Sequence, residues 1–281
     1  MKYDLHLHTT ASDGRLSPSA LVNLARERGL EVIAITDHDS VGGISEALET
    51  ADQGPGIVVI PGVEINTDLA SGELHILGYF IDYRDADLAL ALEKIRESRV
   101  GRAQKMVEKL KGLGMPVEWS RVQEMAHGES ICRPHIAQAL LEKGFVGSER
   151  EAFDKYIWRD GPAYVEREKV QPADAVRIIK AAKGLPVLAH PADIKDLNSL
   201  IIDLKDAGLV GLEAYYGQYD ANTVKRMVRL ANEHGLLTTG GSDYHHFGDD
   251  REVPLGTVYI PEESINALFK SAGRMEERKK K

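Results

Sequence analysis

The chain has 281 residues, a formal net charge of −9 and a single cysteine. That length allows one barrel-sized domain or two smaller ones. The negative charge argues against wrapping duplex DNA, while a small nucleotide or a single-strand end could still sit in a locally basic pocket. The lone Cys132 excludes an intrachain disulfide and suits a reducing compartment, so a cytoplasmic location is expected. No apolar run nears the ~20 residues needed to span a bilayer, and no membrane partner is expected.

The chain opens on Tyr3-Asp4-Leu5-His6-Leu7-His8, with no basic and apolar leader of the signal-peptide kind. Read as a strand over 2–8, it sends Leu5 and Leu7 to one face and His6 and His8 to the other. Paired imidazoles at a strand end pack poorly and ligate metals well. Ser12-Asp13-Gly14 follows. Ser17 as N-cap, Pro18 at the first helical position and Gly29 beyond the end predict a helix over 18–28. A strand over 31–36 runs into Asp37-His38-Asp39, and a helix over 41–51 follows. Strands over 57–64 and 73–80 flank a polar turn at Asp68-Leu69-Ala70-Ser71. A hairpin symmetric about that turn sets Glu64 directly opposite His75 on one face.

Apolar spacing from Leu88 to Lys111 predicts a long helix. The strand–helix rhythm then lapses until about residue 168, with helices expected over 133–142 and 148–157 among loops holding Gly128, Gly144, Gly161 and Pro162. Residues 95–168 therefore read as a mostly helical inserted subdomain that interrupts a discontinuous barrel domain, 1–94 and 169–273. The rhythm resumes with helix 172–183, strand 186–190, helix 194–206, strand 210–214, helix 219–234 and strand 236–240. A last strand at 255–260, a helix at 262–271 and a charged, solvated tail at 274–281 close the chain. Two of the later strands end in His190-Pro191 and Ser242-Asp243-Tyr244-His245. Strand–helix alternation implies an α/β fold with a mainly parallel sheet. If that sheet closes, the polar strand ends gather at one mouth.

His6-x-His8, Thr36-Asp37-His38, Gly62-Val63-Glu64, Ala189-His190-Pro191 and Ser242-Asp243-x-His245 resemble, in order, the motifs of the polymerase and histidinol phosphatase (PHP) family of metal-dependent phosphoesterases. The resemblance implies a distorted (β/α)7 TIM-like barrel and up to three divalent ions per chain. It implies one ion at His6, His8, Glu64 and Asp243, a second at Glu64, His75 and His190, and a third at Asp13, His38 and His245. Some members carry His where this chain has Asp13; the added carboxylate suits Mn or Fe at least as well as Zn, with Mg also possible. Ile131-Cys132-Arg133-Pro134-His135 and Gly161-Pro162-Ala163-Tyr164 are similar to the branch acting on small phosphorylated nucleotides, which includes nucleoside 3′,5′-bisphosphate phosphatases and 5′-3′ exoribonucleases on short single-stranded RNA.

Such chemistry implies attack by a metal-bound hydroxide while the ions clamp the phosphoryl oxygens, with no Ser or Cys nucleophile. Glu64, bridging two ions, and Asp37, orienting a neighbouring ligand, are the expected catalytic residues; Asp39 is a weaker candidate for the same orienting part. Arg133, His135 and Arg159 are expected to bind substrate phosphate. Each has a plainer reading: a helix-start arginine, a packed helix residue and a solvated charge. Tyr215 or Tyr216 could stack on a base. His127 and His234 read as surface residues, and His246 as a rim residue. Other readings stay open: a phosphatase for another small phosphomonoester such as histidinol phosphate, and a metal-dependent interaction module without catalysis.

Overall fold

The computed structural model describes residues 2–54, 56–69, 72–126, 130–166, 170–248 and 252–279. Seven strands lie side by side in chain order: β1 (Tyr3–Asp4), β2 (Val32–Ile35), β3 (Val58–Leu69), β4 (Gly72–Tyr79), β5 (Leu185–Leu188), β6 (Gly211–Tyr216) and β7 (Leu237–Gly241). All neighbours are parallel except at β4, which runs antiparallel to both β3 and β5. The sheet closes on itself: the Leu5 amide donates to the Gly240 carbonyl at 3.1 Å, and the His8 amide to the Tyr244 carbonyl at 3.0 Å. The result is a distorted TIM-like α/β barrel.

Helices α1 (Pro18–Glu27), α2 (Ile44–Asp52) and α3 (Ala86–Gly112) follow β1, β2 and β4. Ser17 caps α1 by accepting from the Ala20 amide at 3.2 Å. Beyond α3 come α4 (Trp119–Met125), α5 (Arg133–Glu142) and α6 (Glu149–Ala152), which runs into a π-helical turn at Phe153–Ile157. The barrel resumes with α7 (Pro172–Ala181), α8 (Leu197–Ala207), α9 (Ala221–His234), α10 (Glu262–Ser271) and a short α11 (Met275–Lys279).

Alternation along the strands sorts the apolar side chains into two layers. Ile33 and Ile35 pack outward with Leu21, Ala47 and Ile179 under the helices. Val32 and Ala34 point into the barrel with Leu5, Ile60, Leu77 and Tyr79, where Leu268 and Phe269 of α10 complete the core. A third core, with Met106, Leu110, Val122, Ile136, Leu140 and Ile157, holds the helical segment together. The expected boundary at 94/95 falls inside one unbroken helix: the first half of α3 packs on the barrel through Leu88, Leu92 and Ile95, the second half on the third core through Ala103, Met106 and Leu110.

Several local expectations are corrected. Leu5 and Leu7 do not share a face; regular pairing of β1 stops at Asp4, the chain bends, and Leu7 joins the outer layer. The β3–β4 register pairs His75 with Asn66 and Glu64 with Leu77, two residues from symmetric pairing. A two-residue shift keeps both side chains on one face. Residues 255–260 form turns rather than a strand, anchored by buried Leu255 and Ile260. The tail is docked as far as Arg278, which donates to the Tyr3 hydroxyl at 2.9 Å and pairs with Glu31 at 3.5 Å.

Candidate metal centre

The strands and the loops that follow them bring the nine expected ligands together at one mouth. Glu64 lies at the centre. Its Oε2 is 3.0 Å from His38 Nδ1, 3.2 Å from His6 Nε2 and 3.3 Å from His8 Nε2. Its Oε1 is 2.8 Å from His75 Nδ1 and 3.3 Å from His190 Nε2. Asp243 Oδ1 lies 3.0 Å from His8 Nε2 and 3.3 Å from His6 Nε2. Asp13 faces His245 at 3.4 Å and His38 at 4.0 Å.

Three groups have ligand atoms within 4.8 Å of one another: His6, His8, Glu64 and Asp243; His8, Asp13, His38 and His245; and His38, Glu64 and His75. The first is the expected set. The second adds His8 to the expected third. The remaining group contains His38 where His190 was expected, although His190 Nε2 still touches Glu64.

The donor chemistry fits divalent cations. Buried ring and carboxylate atoms are left without hydrogen-bond partners at His6 Nε2, both nitrogens of His8, Asp13 Oδ1, His38 Nδ1, Glu64 Oε2 and His75 Nε2. Buried polar atoms are otherwise nearly always paired, so such a concentration of inward-facing lone pairs is what a cation would satisfy. Burial disfavours charge on Asp13, Glu64 and Asp243, but the surrounding imidazoles outweigh it and hold all three well below the usual carboxylate range. Burial also disfavours charge on His8, yet the adjacent carboxylates of Asp243 and Glu64 raise it to about 10. Burial carries His38 the other way, down to about 3.

This geometry is fixed by Glu213 and Asp4, which sequence reasoning did not single out, and by Tyr216, which it considered only for base stacking. Glu213, fully buried in β6, takes His6 Nδ1 at 3.0 Å and the His190 amide at 2.9 Å. His190 (φ 29) and Asp243 (φ 56) lie at positive φ, a conformation that costs energy and persists only where surroundings enforce it. Tyr216 donates to Asp243 Oδ2 at 3.0 Å. Asp4 accepts from the Ser242 amide (2.9 Å) and hydroxyl (2.6 Å), tying β1 to the segment that carries Asp243.

Asp37 is engaged differently from the expectation. Its carboxylate accepts from the Thr9 amide and hydroxyl, both at 2.7 Å, and from the Ser12 hydroxyl at 2.6 Å. It thereby organises the loop between His8 and Asp13 instead of gripping the His38 ring. Asp39 accepts from Arg99 Nε at 2.5 Å and from the Asn66 amide at 3.0 Å, which ties α3 to the barrel mouth.

A cavity of about 520 Å³ opens beside the cluster, lined by His75 and His190 on the barrel side and by Arg133, Trp158, Arg159 and Tyr164 of the helical segment. Arg133 pairs with Glu73 at 2.5 Å, and Arg102 reaches the same carboxylate at 3.5 Å, so two guanidinium groups share one counter-charge. Lys195, not foreseen, lies on the same wall. His135 is set apart: it accepts from the Cys132 amide at 3.0 Å at the start of α5 and lines a separate cavity of about 230 Å³ with Asp13 and Arg15. Buried Cys132 is pushed up to about 12 by burial, which does not suit a nucleophile. His234 is at the surface against Asn198, His246 contacts Tyr244, and His127 lies outside the described residues.

A family model described as the PHP domain matches residues 4–141. A 5′-3′ exoribonuclease from Haemophilus influenzae is 36% identical over 87% of this chain and 90% of its own length. The chain belongs to the PHP family. A 3′,5′-nucleoside bisphosphate phosphatase from Chromobacterium violaceum is 34% identical, covering 88% of each chain. A protein of known structure from Bifidobacterium adolescentis, provisionally assigned as a metal-dependent phosphoesterase, superposes with a TM-score of 0.87 at 28% identity over 96% of both chains. This PHP protein is a metal-dependent phosphoester hydrolase whose His, Asp and Glu cluster suits divalent cations. Among the described residues no helix is long and apolar enough to cross a membrane.

Proposed function

We propose that this PHP protein hydrolyses nucleoside 3′,5′-bisphosphates to 5′-monophosphates, using up to three divalent ions, with Mn the best suited. The observation that carries this reading is the single cavity joining His75 and His190 to Arg133 and Arg159. It offers two anion sites, one at the cluster and one at the arginines, and the substrate has two phosphates one ribose apart.

His6, His8, Glu64 and Asp243 would hold one ion; Glu64, His75 and His190, with His38 near, a second; Asp13, His38 and His245 a third. Bound there, the ions supply an activated water and neutralise charge on the phosphoryl oxygens. Glu64 presents one oxygen to either side of the cluster and sets its spacing. Glu213 and Asp37 hold His6 and the His8–Asp13 loop in place. Arg133 and Arg159 grip the second phosphate by charge-assisted hydrogen bonds. His135 acts as a helix cap on the Asp13 side. The carboxylate of Asp13 suits Mn or Fe at least as well as Zn. The single buried cysteine fits a cytoplasmic enzyme.

A second reading, removal of nucleotides from the 5′ end of short RNA, is supported by the relative of that name and by the same two-anion cavity. The test is kcat/KM under Mn²⁺ for adenosine 3′,5′-bisphosphate, AMP, a 5′-phosphorylated dinucleotide and histidinol phosphate. The bisphosphate should lead. A leading dinucleotide supports the second reading; histidinol phosphate in front, or AMP equal to the bisphosphate, removes the second anion site.

A further inference from the structure

Trp158 is 54% exposed although it belongs to a well-packed segment. It follows directly on the π-helical turn Phe153–Ile157, and such turns are rare and concentrate at functional sites. Phe153 meets the indole edge-on, with ring centroids 5.9 Å apart, and the Arg133 guanidinium lies 5.1 Å from the ring centre. The indole is thereby held in orientation while about half of the residue stays exposed. Trp158 lines the 520 Å³ cavity together with Tyr164, His75 and His190. An exposed tryptophan braced on one side and facing a cationic cavity is poor packing. It is a good platform for a flat, weakly polar ring.

The two tyrosines at the end of β6 are committed elsewhere. Tyr216 donates its hydroxyl to Asp243, and its ring meets His190 at a tilt and Tyr219 edge-on. Tyr215 packs against the barrel cores and closely over Gly240.

We propose that Trp158 is the nucleobase platform of this site, so that the protein selects base-bearing bisphosphates over sugar bisphosphates. This rests on the two-phosphate reading above. With one phosphate at the cluster and the other at Arg133 and Arg159, the base projects from the ribose onto the indole. Stacking is tolerant of base identity because every base offers a π-face. Selectivity among bases should therefore be slight, and selectivity for having a base large.

The test compares kcat/KM for adenosine 3′,5′-bisphosphate with that for its abasic 1-deoxyribose counterpart, in wild type, Trp158→Ala and Trp158→Phe. Wild type should favour the base-bearing substrate by about 5- to 150-fold. Trp158→Ala should bring the ratio near one, and Trp158→Phe should keep most of it. The ratio separates stacking from a general disturbance of Arg133, which would slow both substrates alike. A wild-type preference that survives in Trp158→Ala overturns the platform while leaving the two-phosphate reading intact. Turnover of AMP or histidinol phosphate with none of either bisphosphate overturns both.

Discussion

Glu213 shows how a residue that need not touch substrate can control a site. It is fully buried and holds His6 through Nδ1, which aims Nε2 at Glu64 and Asp243. Removing such an orienting carboxylate typically costs about 10- to 100-fold in metal affinity. Glu213→Ala should weaken Mn²⁺ binding by that factor in a calorimetric titration, and Glu213→Gln by less; an isotherm for Glu213→Ala that superposes on wild type would refute the role. Arg133 makes the opposite case. Losing one charge-assisted hydrogen bond costs about 1.5–3 kcal/mol, or about 10- to 150-fold in kcat/KM. Arg133→Ala should show that loss for the bisphosphate with unchanged metal content, and a fall in metal content would contradict the assignment. The histidines and acids at strand ends were legible because each sits in a short motif after an apolar run. Glu213 was not, since one acid within a strand carries no signal until His6, 207 residues away, is folded against it. Trp158 belongs to no motif, and its place in the cavity wall exists only in the folded chain.

At the scale of elements, most helices and strands could be read from caps and apolar periodicity. The misses have physical causes. The β3–β4 pairing was displaced by two residues because both strands extend further toward the turn than the apolar pattern suggests, reaching Leu69 and Gly72. The run 255–260 looked like a strand, but Gly256 (φ 74) turns the chain there, and its amide donates to Asp4. Helix α3 couples the two halves of the molecule through Arg99, 2% exposed, which binds Asp39 and also donates to Cys132 Sγ at 3.4 Å. Arg99→Met leaves Asp39 buried without its partner, which should cost about 3–5 kcal/mol in urea unfolding; a change below 1 kcal/mol would show the tie to be dispensable. Cys132 adds a pH effect. Burial lifts its thiol from near 9 to about 12, so above pH 9 the unfolded chain has lost a proton that the folded chain keeps. Stability is therefore full below about 9 and falls as pH rises toward 12, at up to about 1.4 kcal/mol per pH unit. Cys132→Ser or Cys132→Ala should flatten that decline, and an unchanged alkaline slope would contradict it.

For the whole molecule, closure of the sheet carries the consequence. β1 and β7 meet through Leu5 and Gly240, and Asp4 grips Ser242, so both chain ends contribute to one rim. The cluster draws on six of the seven strands or the segments that follow them, with β6 supporting it through Glu213 and Tyr216, and a cation shared among them stabilises the closed barrel over the unfolded chain. Stripping metal with a chelator should lower the melting temperature, and adding Mn²⁺ to 100 times its dissociation constant should restore about 2.7 kcal/mol. The central claim is that Glu64 joins the two sides of a divalent-cation centre that hydrolyses phosphate esters. Its most direct test is elemental analysis of wild type and Glu64→Gln, purified alike and dialysed against Mn²⁺, alongside turnover of adenosine 3′,5′-bisphosphate. The account predicts that Glu64→Gln loses more than one equivalent of metal and all measurable turnover. Full occupancy with wild-type turnover in Glu64→Gln would contradict it.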